Sequence, residues 1–146
     1  MELMKAFNIA ASGLRVQSER VRVIAENVAN SGSTGTEPGD LPYRRKTISF
    51  SSQLDKAVGA NLVKIDNIGV DRSPFGQRYD PNHPAADANG YIQTSNVNSL
   101  IEMMDMREAQ RSYEANLSVI KMTRELAART PSTMRANHRQ CSASCR

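Results

Sequence analysis

Met1-Glu2-Leu3-Met4-Lys5-Ala6-Phe7-Asn8-Ile9-Ala10-Ala11-Ser12-Gly13-Leu14 opens a stretch, continuing to Asn30, whose apolar positions recur with helical spacing. Leu3, Phe7, Ala10, Leu14, Gln17, Val21, Ile24 and Val28 follow one another at alternating steps of four and three, a heptad a/d stripe with one polar interruption at Gln17. Arg15–Glu19 and Arg22–Glu26 add i,i+4 pairs worth a few tenths of a kcal/mol each, on the order of 0.2–0.5. Gly13 inside this pattern costs about 1 kcal/mol relative to Ala, which marks a bend or a close helix approach. Asn30-Ser31-Gly32 supplies the stop. The stretch predicts one long helix over residues 1–30.

A second stripe at the far end answers the first. Leu100, Met103, Met106, Gln110, Tyr113, Leu117, Ile120, Arg124 and Ala127 again recur at steps of three and four; Asn96, Asn98 or Ser99 can cap the helix, and Ser99 with Glu102 has capping-box spacing. This predicts a helix over 96–130, which Pro131 should stop, since proline lacks an N–H and disfavours helix at Thr130. Two helices of this length each run roughly 45 Å, beyond the ~30 Å width of a small domain. The economical arrangement is an antiparallel coiled-coil pair. Stripes this narrow bury little apolar surface, so such a pair needs neighbours, which points to an assembly subunit.

The middle, residues 31–95, is small, irregular and β-rich. Residues 31–42 read as loop, Tyr43–Phe50 as a strand, and Leu62–Ile65 and Ile68–Val70 as one or two more. Ser52–Ala60 reads as a short helix or loose turn. Residues 72–90 are rich in Pro, Gly, Asp and Asn and end in the turn signal Asn89-Gly90. Residues 131–146 are polar and aperiodic, and are expected to be a disordered tail. The fold class is therefore α+β, with the helical assembly domain formed by 1–30 and 96–130.

Composition narrows the function. Of 146 residues 39% are hydrophobic and only 5% aromatic, with no Trp, too few large side chains to fill a broad compact core. No apolar run approaches the roughly 18–20 residues of a membrane span. Met1–Lys5 shows no basic segment leading into an apolar one, so no cleaved secretory signal is expected. The net charge of +4 owes three units to Arg135, Arg139 and Arg146; without them the body is close to neutral, and no nucleic-acid partner is expected. His83 sits between Pro81 and Pro84 and reads as a turn residue. His138, Cys141 and Cys145 make a weak zinc pattern in an aperiodic tail. No nucleophile–base arrangement or glycine-rich phosphate loop is present, so neither an enzyme nor a cofactor is expected. A soluble coiled-coil binding or regulatory protein is the alternative reading. A groove binder would need a basic helix face, and both helices are laced with Glu and Asp.

Arg44-Arg45-Lys46 is the one basic cluster of the body, and it is expected to meet acidic groups on neighbouring subunits rather than nucleic acid. Met103, Met104 and Met106 read as packing, between helices or between subunits. The candidate assembly interface is thus Leu3, Phe7, Ala10, Leu14, Val21, Ile24, Val28, Arg44, Arg45, Lys46, Met103, Met106, Tyr113, Leu117 and Ile120.

Ala11-Ser12-Gly13-Leu14, continuing to Ala25-Glu26-Asn27-Val28-Ala29-Asn30-Ser31, resembles the N-terminal signature of the bacterial flagellar axial proteins of rod, hook and hook-filament junction. Pro42-Tyr43-Arg44-Arg45-Lys46 and the run from Tyr91 through Met103-Met104-Asp105-Met106-Arg107 to Asn116 narrow the resemblance to proximal rod proteins of the basal body. It covers about residues 1–130. What it implies is a non-enzymatic rod subunit that stacks helically on copies of itself and on other rod subunits, transmits torque and lines the export channel. It also implies contacts with the inner-membrane ring and hook-basal body proteins, and passage through the flagellar type III export apparatus. In the family the last helix continues apolar beyond the position of Thr130, whereas here Pro131 begins a Ser/Arg/Cys tail.

Overall fold

The structure is a computed structural model that describes the backbone of residues 2–143 and the side chains of residues 2–129. Six elements follow in order: α1 Glu2–Ala29, β1 Lys46–Asp55, β2 Ala60–Val70, β3 Gly76–Tyr79, β4 Tyr91–Thr94 and α2 Ser99–Ala143. Two helices with a small antiparallel, strand-rich middle make the α+β class expected from the sequence.

The helices run antiparallel. Asn27 meets Glu102, Arg20 meets Asp105 and Glu108, and Gly13 meets Asn116. Gly13 marks a close approach, not a bend: a Cβ there would lie 2.7 Å from the Asn116 amide nitrogen. The helix α2 begins on Asn98, whose side chain accepts from the backbone N–H groups of Leu100 and Ile101, an N-cap that leaves the expected Ser99–Glu102 box unused. The stop expected at Pro131 is not observed, because the backbone of α2 stays helical to Ala143. A proline inside a helix removes one hydrogen bond and crowds the carbonyl four residues back, a cost of about 3 kcal/mol. It need not end a helix that is already nucleated, where each further residue adds a bond. The side chains of the expected tail, with Cys141 and Cys145, lie outside the described residues.

On its other flank α1 carries the β1–β2 hairpin. The ladder runs from Lys46 opposite Val70 to Asp55 opposite Ala60, with a bulge that leaves Asp66 as the extra residue between Asn67 and Ile65. Asp55 shapes the hairpin turn by accepting from Ala57 and Val58 N–H, and Gly59 closes it at φ +64. Ser52–Asp55, read as helix or turn, is therefore strand. Ser52-Gln53 carries little strand propensity of its own, and the register partners in Ala60–Val63 override it. The outer edge of β2 abuts α1, where Val63 N–H donates to the Ser12 hydroxyl at 3.3 Å.

The β3–β4 pair closes the far end of the loop region, with Tyr79 and Tyr91 edge to face at 5.3 Å. Its connection holds the expected Asn89-Gly90 turn, with Gly90 at φ +80. Here His83 is indeed a loop tie. Its Nδ1 accepts from Ala85 N–H, and its Nε2 reaches the Thr34 hydroxyl at 3.3 Å. The buried apolar core is short: Ala10, Val16, Val23 and Ile24 from α1, Ile92 from β4, and Ala109 and Ile120 from α2.

Candidate functional site

Where the chain enters β1 beside the C-terminal end of α1 and the first turn of α2, polar side chains converge on two buried groups. Asn27 and Glu102 are each 1% exposed. The Asn27 side-chain amide pairs with Lys46 as a second backbone would: its Nδ2 donates to the Lys46 carbonyl and its Oδ1 accepts from the Lys46 N–H, both at 2.9 Å. The same Oδ1 accepts from the Tyr43 hydroxyl at 2.9 Å, and the second Nδ2 proton goes to Glu102 Oε2 at 3.1 Å. All four hydrogen-bonding sites of the amide are thereby used. Glu102 Oε1 accepts from Arg45 Nε at 2.6 Å, a charge-assisted bond to a carboxylate that burial would otherwise leave costly. Asn96 fixes Arg45 from the other side, its Oδ1 accepting the Arg45 backbone N–H at 2.7 Å.

The flanking charges complete the cluster. Lys46 Nζ lies 2.9 Å from Glu26. The hydrogen bond from Lys46, with its charge, holds the Glu26 carboxyl below its ordinary range and in turn raises Lys46. Burial pushes the Tyr43 phenol up. Asp71 is held low by the backbone and hydroxyl of Ser73. Arg44 donates to the Asp71 and Ser73 carbonyls and stacks its guanidinium 4.1 Å from the Phe75 ring centre. Arg44, Arg45 and Lys46, expected to reach acidic groups on neighbours, therefore meet their partners within the chain. Those partners come from α1, α2 and the segment after β2, up to 57 residues away in sequence. No local pattern could have shown them.

The helical stripes divide in the same way. Ala10, Ile24 and Ile120 are buried inside the subunit, while Leu3, Phe7, Leu14, Val21, Val28, Met106 and Leu117 are half-buried along the seam. Met103 and Tyr113 are exposed. The α2 face that meets α1 is set by Glu102, Ala109, Ile120 and Thr123, largely one position off the stripe read from the sequence. Apolar periodicity could not find it, because its members are a carboxylate, a methyl group and a hydroxyl as well as Ile120. Exposed instead are Leu100, Ile101, Met103 and Met104, a run of large apolar side chains at the start of α2. Among the described residues, Gln17 Oε1 is the one buried side-chain polar atom without a hydrogen-bond partner.

Comparison with known proteins identifies what this frame belongs to. A flagellar basal-body rod protein FlgC of Agrobacterium fabrum is 55% identical over 92% of this chain and 97% of its own length. The FlgC proteins of Buchnera aphidicola and Salmonella typhimurium are 42% and 39% identical, each over 89% of this chain and 96% of their own. The chain belongs to the FlgC family of flagellar basal-body rod proteins. A family model described as the C-terminal part of the flagellar basal body rod FlgEFG proteins also matches residues 88–131, which span β4 and most of the described α2. The role of the FlgC family is structural, as a rod subunit of the basal body in association with other basal-body components.

Proposed function

We propose that this FlgC-family chain joins the rod through the faces of its terminal helices that the subunit itself leaves uncovered, and that the β-rich middle sets the angle at which neighbours meet. The observation that carries this reading is the uncovered apolar face of α2. Leu100 is 68% exposed and Met104 64%, far more than a single subunit in water gains by displaying side by side. Met103 and Tyr113 continue that face, and the half-buried Leu3, Phe7, Leu14, Val21, Val28, Met106 and Leu117 form the rim that a neighbouring helix would close. Ala10, Ile24 and Ile120 serve assembly indirectly, by holding the pair together.

The partners in this reading are copies of the same chain and other rod subunits, with the inner-membrane ring and hook-basal body proteins at the ends of the stack. Helical stacking of such subunits transmits torque and lines a channel, a role without catalysis or cofactor. Delivery through the flagellar type III apparatus belongs to the same proposal. Changing Met103 and Met104 together to Asp tests the interface. The variant should fold and leave the cytoplasm yet be missing from purified basal bodies, with swimming lost; normal swimming would overturn the assignment.

A further inference from the structure

We propose that Asn27, Arg45 and Glu102 form a register lock that admits α2 to α1 in one alignment only, and only once the base of the β1–β2 hairpin is in place. Among the described residues, little apolar surface is fully covered between the helices. The buried apolar residues of the two helices are Ala10, Val16, Val23 and Ile24 on α1, and Ala109 and Ile120 on α2. Sliding α2 by one heptad sets Glu102 or Asn116 in the place of Ala109, and Tyr113 or Ala127 in the place of Ile120, so the lost apolar fit opposes the slip as well. A buried polar group adds a sharper constraint than this packing, because its partners stand at one place.

Glu102 is such a group. It is 1% exposed, and its two oxygens take one hydrogen bond each, from Asn27 Nδ2 on α1 and from Arg45 Nε at the start of β1. A one-heptad slip replaces Glu102 opposite Asn27 with Ala109 or Ser95. It then leaves an amide proton on α1 without its acceptor, takes from Arg45 its nearest carboxylate while Asp71 stays within 3.9 Å, and buries or exposes the Glu102 carboxylate without either partner. The lock is also conditional. Asn27 holds Lys46 by both backbone groups and so fixes where Arg45 stands. Until that strand is seated, half of the site that receives Glu102 is missing, so helix pairing and hairpin orientation become one cooperative event. Asn27 belongs to the Asn-Val-Ala-Asn end of α1, and this assigns that residue a positioning role.

Cysteine pairs read the register directly. A Cβ at Gly13 would stand 3.1 Å from Asn116 Cγ, close enough that Gly13→Cys with Asn116→Cys, in a Cys141→Ser, Cys145→Ser background, can cross-link in register. Gly13→Cys with Thr123→Cys reports the alignment displaced by one heptad. The experiment oxidises the full chain in basal bodies from a strain carrying no other copy, and quantifies intrachain disulfide by mass spectrometry. With Glu102 intact, the in-register pair should exceed the displaced pair by about a hundredfold, as expected for the cost of breaking a buried ion pair. Glu102→Ala should cut that ratio at least about tenfold. Glu102→Gln, which keeps the shape and one acceptor, should fall between. An unchanged ratio in both variants would overturn the lock. Should the Ala variant fail to reach basal bodies, Glu102→Gln decides alone on the same ratio: a shift supports the lock and no shift overturns it. The proposed outer-face interface fails differently, by loss of assembly with the register ratio intact.

Discussion

The two helices are similar in pattern and unlike in what they spend it on. Helix α1 is covered on two flanks, by α2 on one and by the edge of β2 on the other, and contributes Ala10, Val16, Val23, Ile24 and Asn27 to the buried interior. Among the described residues, helix α2 meets only α1 of the other elements, and its opening turns display Leu100, Ile101, Met103 and Met104. The difference teaches where fold ends and assembly begins. A substitution on α1 should be read first as a change in the subunit, and one on the outer face of α2 as a change in the rod.

The sharpest way to break that division is a matched pair of charges. Val23 is 2% exposed, so Val23→Asp buries an unpaired carboxylate and should cost several kcal/mol, on the order of 3–5, enough to unfold the subunit. Met104→Asp on the outer face should leave the thermal melt within about 0.5 kcal/mol of the parent while swimming is lost. If Val23→Asp retained a folded chain, or Met104→Asp lowered the melt as much, the two helices would not be divided in this way.

Asn27→Asp comes next. It removes both donors of the amide, to the Lys46 carbonyl and to Glu102, and sets a second carboxylate beside the first. The expected loss is about 3–5 kcal/mol, read by denaturant unfolding, with hydrogen exchange opening first at Lys46–Ile48. Asn27→Ser, which keeps a smaller hydrogen-bonding group, should lose less.

This cluster also marks where the sequence stopped being legible. The long helices were readable because Leu3, Phe7, Leu14, Val21 and Val28 carry a local period. The strands of β2 were readable because Leu62, Val63, Ile65, Ile68 and Val70 are β-branched or apolar and stand between turn signals. The partners of Arg45 were not. A run of three cations shows where charge lies along the chain but not that Glu102, Asp71 and Asp105 come from elsewhere to meet it. Nor could period alone place the inner face of α2. A helix that lies closely against another selects small residues such as Ala109, and a buried ion pair selects Glu102, so the most contacted positions carry the weakest apolar signal. The stop at Pro131 failed for a related reason: local propensity there is a cost of a few kcal/mol, about 3, rather than a prohibition.

Gln17 sharpens the picture of the seam on a smaller scale. Its Oε1 is buried with no partner among the described residues, and it interrupts an otherwise apolar stripe. Gln17→Met conserves length and removes the stranded acceptor, so the subunit should gain about 1 kcal/mol, visible as a rise in the melting midpoint. A loss of stability would mean that Gln17 is satisfied in the folded chain.

Acid and alkali probe the base of the hairpin through Glu26 and Lys46. The depressed Glu26 carboxyl contributes stability that is present above its unfolded value, near 4.5, and is lost as pH falls through the lower folded value. The raised Lys46 contributes stability that is complete below its unfolded value, near 10.5, and is lost as pH rises through the higher folded value. Between these limits the pair should leave stability flat with pH. Both groups are substantially exposed, so the effect is small and weakened by salt. Glu26→Gln should flatten the acid limb of a stability–pH curve at low salt; an unchanged limb would assign it to other carboxylates.

Gly13 offers the finest test, because two effects of opposite sign meet there. Ala in place of Gly inside a helix gains about 0.8–1 kcal/mol of propensity. The new methyl would stand 2.7 Å from the Asn116 amide nitrogen and 3.1 Å from its Cγ, so the Asn116 side chain must turn away for it to fit. Since the obstacle is the end of a movable side chain and not backbone, Gly13→Ala should be close to neutral, the propensity gain offset by the displaced amide. The double variant Gly13→Ala, Asn116→Ala removes the obstacle. Measured against Asn116→Ala alone, it should recover the full gain of about 1 kcal/mol. If Gly13→Ala were equally favourable in both backgrounds, Asn116 would not be pressing on the helix backbone, and the close approach that distinguishes this seam from the open face of α2 would be absent. If it were equally unfavourable in both, backbone rather than the amide would set the limit.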